Sequence, residues 1–372
     1  MAASKRNSPA GGRSAPARRG PARIRPQKAI SAEAPAPVAP KAAALPEGAA
    51  APSRSRLWIV PVLMLAVLAG VGAFLVWDAR YLASLKFDML RTARIIPQGH
   101  DRGEGTGLAN LSGDPQGRMY MLESEQGYPP RLQRFDEQNS PDTLVYKADK
   151  PGRDLTKAVD VDCAPSGQVY VLLKDGRVQV LDGDLKYRGT IVTGIADAAA
   201  AAVNSHGRLF VADQPENKVV YFDNGVRAGE FGVPGRDPVP LVSPLLLRVA
   251  KDDEVVVVED TSTGLRARVF TPDLKLRKTF LVDKITYYPP VRMGINSQLK
   301  VFFNDPGGSL GIVCWDLKTG HYVGSAQATK DGVQFVNPGC IGADRYTPDV
   351  YVHTVPGLIK CVLPPPSEGN QG

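Results

Sequence analysis

The sequence contains few of the residues that carry metal or nucleophilic chemistry. It has four histidines and four cysteines in 372 residues. The H-E-x-x-H and C-x-x-C motifs are absent, and no glycine-rich loop stands between a strand and a helix in the manner of a phosphate-binding loop. These absences disfavour a zinc site of known spacing and a nucleotide-binding loop, and no catalytic residue is predicted.

Large apolar and aromatic side chains are scarce in residues 1–56, where Ala, Pro, Arg, Ser and Gly dominate. Such a tract cannot bury enough surface to offset the entropy of ordering, which predicts a disordered tail. The tail carries eleven Lys and Arg against two Glu, a charge of +9 that leaves −2 for the rest of the +7 total. Contact with nucleic acid or anionic lipid is one interpretation. We favour a solvated tail that orients the chain in a membrane, because no aromatic residues are interleaved for base stacking.

A run without charged residues follows the tail. Residues 57–77, from Leu57 to Trp77, read LWIVPVLMLAVLAGVGAFLVW. As a helix rising about 1.5 Å per residue, this run would span roughly 30 Å, the thickness of a bilayer core. Trp58 and Trp77 stand at its ends, where indole rings favour the interface. A cleavable signal peptide is the alternative, but the long leader and the continuing apolar run favour a permanent transmembrane helix.

The positive charges lie mainly on the N-terminal side of this run. Arg54 and Arg56 adjoin it, whereas the basic residues that follow it are diluted by Asp78 and Asp88. This bias predicts a cytoplasmic N-terminus and a periplasmic or extracellular remainder. Apolar residues at helical spacing predict a short helical stalk over residues 78–92.

A unit of four short strands recurs from residue 93 onwards. Its clearest copy, residues 200–232, reads AAAVNSHGRLFVADQPENKVVYFDNGVRAGEFG, with apolar runs bounded by Gly, Asn, Asp and Pro. The second strands of the copies align at Gly117, Gly167, Gly207, Asp253, Leu299 and Pro348. Six copies of about 40 to 50 residues predict an all-β, six-bladed β-propeller over residues 93–366, with a disordered end at 367–372.

The sixth copy lacks a fourth strand of its own. Pro364, Pro365 and Pro366 follow its third strand and cannot donate to a ladder. The run ARIIP at 93–97 is therefore predicted to pair beside residues 358–362 and close the ring. This closure predicts that the loops joining the blades face away from the membrane and carry the binding residues, for which we expect Tyr128, Arg153, Arg236, Tyr287 and Tyr288.

Four of the six copies place a carboxylate at the end of the second strand, namely Glu123, Asp213, Glu259 and Asp305. One interpretation is a partial acidic ring that holds Ca²⁺ near one mouth of the channel. The interpretation we favour is that each side chain accepts hydrogen bonds from its own turn. The sequence therefore predicts no cofactor, with Ca²⁺ as the alternative.

The histidines and cysteines occupy unequal positions in the repeat. Because His100, His206, His321 and His353 would not converge, none is predicted to be a metal ligand or a general base. Cys163, Cys314, Cys340 and Cys361 are predicted to be buried thiols. A disulfide between Cys314 and Cys340 is the one pairing that the register would allow.

Residues 211–232 resemble the NHL repeat. They follow its order of V-A-D, a polar turn with Asn, an apolar strand ending in Phe-Asp, and Phe-Gly, and Pro244, Pro290 and Pro338 match its proline before the first strand. The fourth copy departs from it, with Thr271 in place of the Asp. The resemblance implies a propeller. NHL-like propellers include scaffolds, sensors, lactonase relatives and a lyase, so it does not fix an activity.

Two functions are consistent with these features. The first is a membrane-anchored, extracytoplasmic, non-enzymatic module that binds a protein or a small-molecule ligand through its loops, or acts as a scaffold. The second, implied by the resemblance, is an extracytoplasmic metal-dependent hydrolase or lyase of the lactonase-like kind. Nucleic acid is disfavoured as a partner of either.

Overall fold

The computed structural model describes residues 90–96, 108–124, 130–138, 141–146, 153–285, 291–305, 310–335, 338–354 and 357–363. Twenty-four strands within these ranges form six four-stranded antiparallel sheets. No helix in this part of the chain is long and apolar enough to cross a membrane. The predicted tail and the apolar run at 57–77 lie outside the described residues.

Each sheet is one blade, and the blades follow one another along the chain. Blade 1 contains β2 (Leu108–Gly113), β3 (Met119–Ser124), β4 (Arg131–Phe135) and β5 (Pro141–Tyr146). Blade 2 contains β6 (Ala158–Cys163), β7 (Val169–Leu173), β8 (Arg177–Leu181) and β9 (Tyr187–Val192). Blade 3 contains β10 (Ala200–Val203), β11 (Leu209–Asp213), β12 (Lys218–Asp223) and β13 (Val226–Phe231).

The second half of the ring repeats this order. Blade 4 contains β14 (Pro244–Val249), β15 (Val255–Thr261), β16 (Gly264–Phe270) and β17 (Leu276–Val282). Blade 5 contains β18 (Met293–Ile295), β19 (Lys300–Asp305), β20 (Gly311–Asp316) and β21 (Tyr322–Ala326). Blade 6 contains β22 (Cys340–Ala343), β23 (Asp349–Thr354), β24 (Gly357–Val362) and, at its outer edge, β1 (Arg91–Ile96). The innermost strands β2, β6, β10, β14, β18 and β22 contact one another in turn and close a ring, which confirms the six-bladed propeller.

The turn between the innermost and second strands explains the sequence repeat. In blade 1 the amide of Gly117 donates to the carbonyl oxygen of Asp114 at 2.9 Å, and the other five blades form the equivalent bond. The residue that ends the turn has a positive φ in five blades, at Gly117, Gly167, Gly207, Asp253 and Leu299. Because glycine adopts this left-handed conformation without a steric penalty, three copies carry it at the aligned position.

The second strands form the core because they are covered on both faces by neighbouring blades. All five residues of β7 and all five of β11 are buried, which explains why β7 is apolar throughout and β11 is apolar up to its last residue, Asp213. The outermost strand β9 instead alternates partly buried and exposed residues. Six apolar clusters follow from this arrangement, and several of them join residues of two adjacent blades. Blade-to-blade packing therefore holds the ring together.

Two glycines bring the innermost strands close together. A Cβ atom on Gly342 would overlap the Cβ atom of Leu111 in blade 1, and one on Gly294 would lie 2.5 Å from the backbone nitrogen of Ala343 in blade 6. No larger residue fits at either position without displacing a neighbouring strand. This close approach narrows the space that the innermost strands enclose around the propeller axis.

Blade 6 is completed by the strand that precedes blade 1. Strand β1 pairs antiparallel with β24, with Arg91 opposite Val362 and Ile96 opposite Leu358. Leu90, just before β1, is fully buried in the apolar cluster of blades 5 and 6. The predicted closure is therefore confirmed. The strand begins two residues before the predicted start, so the last two residues assigned to the stalk belong to the sheet.

All four cysteines are buried free thiols. Cys314 packs among residues of blades 5 and 6, whereas Cys340 packs against blade 1. The disulfide that the register would allow between them is not formed, because their side chains belong to clusters on different sides of blade 6.

We expect these thiols to be unreactive in the folded protein. Burial raises the pKa of Cys340 and of Cys361 to about 12, and it raises the pKa values of Cys163 and Cys314 as well. A thiol with a pKa of about 12 is roughly one part in 10⁴ thiolate at pH 8, and the thiolate is the nucleophile. Maleimide should label none of the four in native protein and all four in 8 M urea. Rapid labelling of the native protein would contradict the buried placement.

Candidate functional site

Two aspartates lie inside the ring because they alternate with apolar residues on an innermost strand. In β6, Val161 and Cys163 pack into the apolar cluster shared with blade 1. Since successive side chains of a strand point to opposite faces, Asp160 and Asp162 share the other face. Both are buried. Their hydrogen-bond partners come from blades 1, 3, 4 and 6, which places them at the axis.

Asp160 forms a two-pronged ion pair with Arg248 of β14. The two terminal nitrogens of Arg248 lie 2.8 and 2.9 Å from the two carboxylate oxygens. Asp160 also accepts a hydrogen bond from the backbone nitrogen of Ala201 at 3.0 Å. Burial lowers the pKa of Arg248, but the charge and hydrogen bonds of Asp160 raise it by more. The pKa of Arg248 is therefore raised. The pair links blades 2, 3 and 4 across the axis.

Asp162 pairs with Arg345, which follows β22 in the turn of blade 6. Nη2 of Arg345 lies 3.2 Å from a carboxylate oxygen of Asp162, and Ser112 donates to the other oxygen at 2.9 Å. The guanidinium also donates to the carbonyl oxygens of Cys163, Val203 and Val249. Arg345 is 7 % exposed, so it fills the axis from the side of the turns.

Little space is left between these ion pairs. A cavity of about 10 Å³ lies among residues of five blades, including Ser112, Asp162, Arg248 and Arg345. That volume is about what one water molecule needs. This part of the axis is therefore packed with protein side chains.

A third arginine faces the axis without a carboxylate partner among the described residues. Arg292 directly precedes β18, and its charge interacts with Asp160, Arg248 and Cys340. Its Nη1 donates to the carbonyl oxygen of Val291 at 3.2 Å, whereas its Nε is buried without a hydrogen-bond partner. Burial, with the nearby charge of Arg248, lowers the pKa of Arg292.

These axial residues were not predicted from the sequence. The signal for them is a charge inside an otherwise apolar innermost strand, as in AVDVDC of β6 and PLLLRV of β14. Without the ring, that pattern is also typical of a half-exposed strand.

The four carboxylates predicted at the ends of second strands stay on separate blades. Glu123 pairs with Arg131, and Glu259 pairs with Arg266 at 2.6 Å and Arg268 at 2.8 Å. Among the described residues, no three His, Cys, Asp or Glu side chains come together to hold a metal ion.

The remaining two of these carboxylates accept hydrogen bonds within their own turns. Asp213 accepts from the backbone nitrogen of Glu216, and Asp305 accepts from that of Leu310, each at 3.3 Å. Burial raises the pKa of Asp213. The calcium site stays the alternative to the predicted absence of a cofactor.

We call the side of the ring where one blade leads into the next the connection face. The described residues of these connecting segments are 153–157, 193–199, 232–243, 283–285, 291–292, 327–335 and 338–339. Arg153 stacks on the ring of Tyr187, with its guanidinium carbon 3.8 Å from the ring centre. The exposed Arg236 pairs with Glu230 at 2.8 Å and with Asp237 at 3.2 Å. Tyr128, Tyr287 and Tyr288 lie outside the described residues.

His206 is part of a Ser, His and Asp group on the face opposite the connection face. Ser205 donates its hydroxyl to Asp253, and the Nδ1 atom of His206 lies 3.1 Å from that hydroxyl and 3.2 Å from the carboxylate. The hydroxyl proton is thus directed to the carboxylate, and the imidazole does not bridge the other two groups as a catalytic triad requires. Two open clefts of about 450 and 510 Å³ flank this turn.

His353 is expected to make the stability of the propeller dependent on pH. Burial lowers its pKa, although Glu123 opposes this shift. The unfolded state therefore takes up the proton first, so stability is lost as the pH falls below about 6.5, the ordinary histidine pKa. Urea unfolding at pH 8 and at pH 5 measures this effect. The difference in the free energy of unfolding between wild type and His353→Gln should be smaller at pH 5 than at pH 8. Parallel curves for wild type and His353→Gln would contradict the prediction.

No protein-family model matches this sequence, and no curated protein matches it significantly. The propeller itself rests on the strand order and the closed ring of innermost strands. The NHL resemblance is not supported by a family match.

Proposed function

We propose that this chain is a single-pass membrane protein whose propeller lies outside the cytoplasm and binds a protein or a small-molecule ligand without chemical turnover. The observation that carries the proposed orientation is the place of β1, whereas the proposed anchor rests on the apolar run at 57–77 and the charges beside it. The last residue of β1, Ile96, leads into the connection to blade 1, so its first residue, Arg91, lies at the opposite end of the blade. A tether that enters at Arg91 would direct the connection face away from the bilayer.

The packed axis supports binding at the surface of the ring. The ion pairs of Asp160 with Arg248 and of Asp162 with Arg345 leave room for about one water molecule between them. A ligand larger than water would therefore contact the loops or the mouth of the axis. Loops held by a rigid scaffold are a common place for recognition residues.

Reporter fusions test the proposed topology. An enzyme reporter that is active only outside the cytoplasm should be active when fused after Gly372 and inactive when fused before Met1. Activity confined to a cytoplasmic reporter after Gly372 would refute the proposal. A variant with Arg54 and Arg56 changed to Glu is the matched control, because it reduces the charge bias beside the span.

Capture of partners from membranes tests the binding face. The full chain carrying Arg236→Glu, on the connection face, should lose a partner that the wild type retains. Arg188→Glu is the matched control, since Arg188 pairs with Asp182 on the opposite face at 2.6 Å. Equal loss with both variants would contradict the assigned face. Stoichiometric Ca²⁺ or Zn²⁺ in the purified protein would instead favour the hydrolase or lyase alternative.

A further inference from the structure

We propose that the mouth of the axis on the connection face binds a small oxyanion, a carboxylate or a phosphate group, through the guanidinium of Arg292. Three arginines and two aspartates occupy the described part of the axis. Asp160 is held by Arg248 and Asp162 by Arg345. Arg292 is the one of these three arginines that has no aspartate partner of its own. The proposed site does not depend on the membrane topology or on a protein partner.

The backbone of Arg292 is fixed at the mouth. Arg292 is the last residue before β18, and the innermost strands begin where the connections from the preceding blades end. The side-chain oxygen of Asn304 accepts a hydrogen bond from the backbone nitrogen of Arg292 at 2.5 Å. Its side-chain nitrogen donates to the carbonyl oxygen of Pro338 at 2.9 Å. The fully buried Asn304 thereby joins the starts of the innermost strands of blades 5 and 6.

One donor of Arg292 is occupied by the protein and another is not. Nη1 is occupied by the carbonyl oxygen of Val291, whereas Nε has no acceptor. The hydrogens of Nε and Nη2 point in the same direction, and their spacing matches two oxygens of a carboxylate or phosphate. A buried donor without an acceptor and a buried charge without a counterion are both unfavourable. One bound oxyanion would remove both costs.

The sign of the local charge selects the ligand. Arg248 lies within electrostatic range of Arg292 and repels it, and both terminal nitrogens of Arg248 are committed to Asp160. Because Asp160 neutralises Arg248, Arg292 is the group left to attract an anion in the described part of the axis. Its parallel donors favour an oxyanion over neutral ligands that cannot accept two parallel hydrogen bonds.

Calorimetric titration of the full chain in non-ionic detergent tests the proposal. Sodium phosphate and sodium acetate would be titrated separately at constant ionic strength. Saturable binding of at least one is expected, phosphate preference indicating a phosphate-bearing ligand and acetate preference a carboxylate. Arg292→Lys should bind at least tenfold more weakly, because lysine keeps the charge but lacks the paired donors. Arg188→Lys, on the opposite face, should bind like wild type.

Thermal unfolding gives a second measurement that does not require a variant to bind. Without oxyanion, Arg292→Met should unfold at the wild-type temperature or above it, because the substitution removes a buried charge that has no carboxylate partner of its own among the described residues. Added oxyanion should raise the unfolding temperature of wild type and leave that of Arg292→Met unchanged. Equal shifts in both proteins, equal binding by Arg292→Lys, or marked destabilisation of Arg292→Met without oxyanion would overturn the proposal.

Discussion

Replacing β1 with a flexible Gly-Ser sequence of the same length is expected to open the ring. Strand β24 would lose its outer partner and present an unpaired edge, and the Leu90 end of the strand would lose its support in the core. A loss of more than about 3 kcal/mol would lower the unfolding temperature by on the order of 10 °C. The measurement is thermal unfolding of the full chain in detergent, with light scattering to detect association through the open edge.

Cys361 gives this experiment a local readout. It lies opposite Thr92 of β1 and is buried in the wild type. Maleimide should label Cys361 in the variant without β1 and leave Cys163 in blade 2 unlabelled. The matched control replaces residues 41–46 of the tail with the same Gly-Ser sequence. An unfolding temperature and a labelling pattern equal to those of the control would show that β1 does not support the ring.

Asp160→Ala is expected to destabilise the propeller by about 3 to 5 kcal/mol, because it leaves the guanidinium of Arg248 buried without a counterion. Arg248 and Asp160 have side chains only 12 % and 4 % exposed, so water cannot replace the lost carboxylate. Urea unfolding followed by fluorescence would measure the change. The double variant Asp160→Ala with Arg248→Met should recover much of the loss, because it removes the stranded charge as well.

The matched control for this prediction is the surface pair of Asp182 and Arg188. Its nitrogen and oxygen lie 2.6 Å apart, but the arginine side chain is 60 % exposed. Exposed pairs contribute less than about 1 kcal/mol, so Arg188→Ala, which leaves the turn hydrogen bonds of Asp182 intact, should have a small effect. Similar losses for the buried and the exposed pair would contradict the role assigned to the axial charges.

The repeat and the closing strand could be predicted from sequence because local chemistry determines them. The aligned glycines mark a turn that requires left-handed backbone in five blades. Pro364 to Pro366 exclude a further strand, which left the run ARIIP to complete blade 6. Both features follow from the conformations and hydrogen bonds that a residue's own backbone allows, and such constraints are visible in the sequence alone.

The axial ion pairs could not be predicted in the same way. Arg248 is 88 residues from Asp160, and Arg345 is 183 residues from Asp162. Which charges meet depends on how all six blades are rotated about the axis, and a strand register does not specify that rotation. The same limit explains the cysteines, because the register placed Cys314 and Cys340 on adjacent blades without fixing which way each side chain points.

The closing pair also has a consequence for synthesis. Arg91 and Val362 meet across roughly 270 residues, so the first strand to leave the ribosome must wait for the last one. Closing a loop of that length costs about 2.5 kcal/mol more in chain entropy than closing one of about 15 residues. Each hairpin can form early, but the first blade-forming segment has no partner until β24 is made. A chain cut short anywhere before Gly357 therefore leaves β1 without its partner as well as lacking β24, so closure of blade 6 depends on synthesis of the chain through Val362.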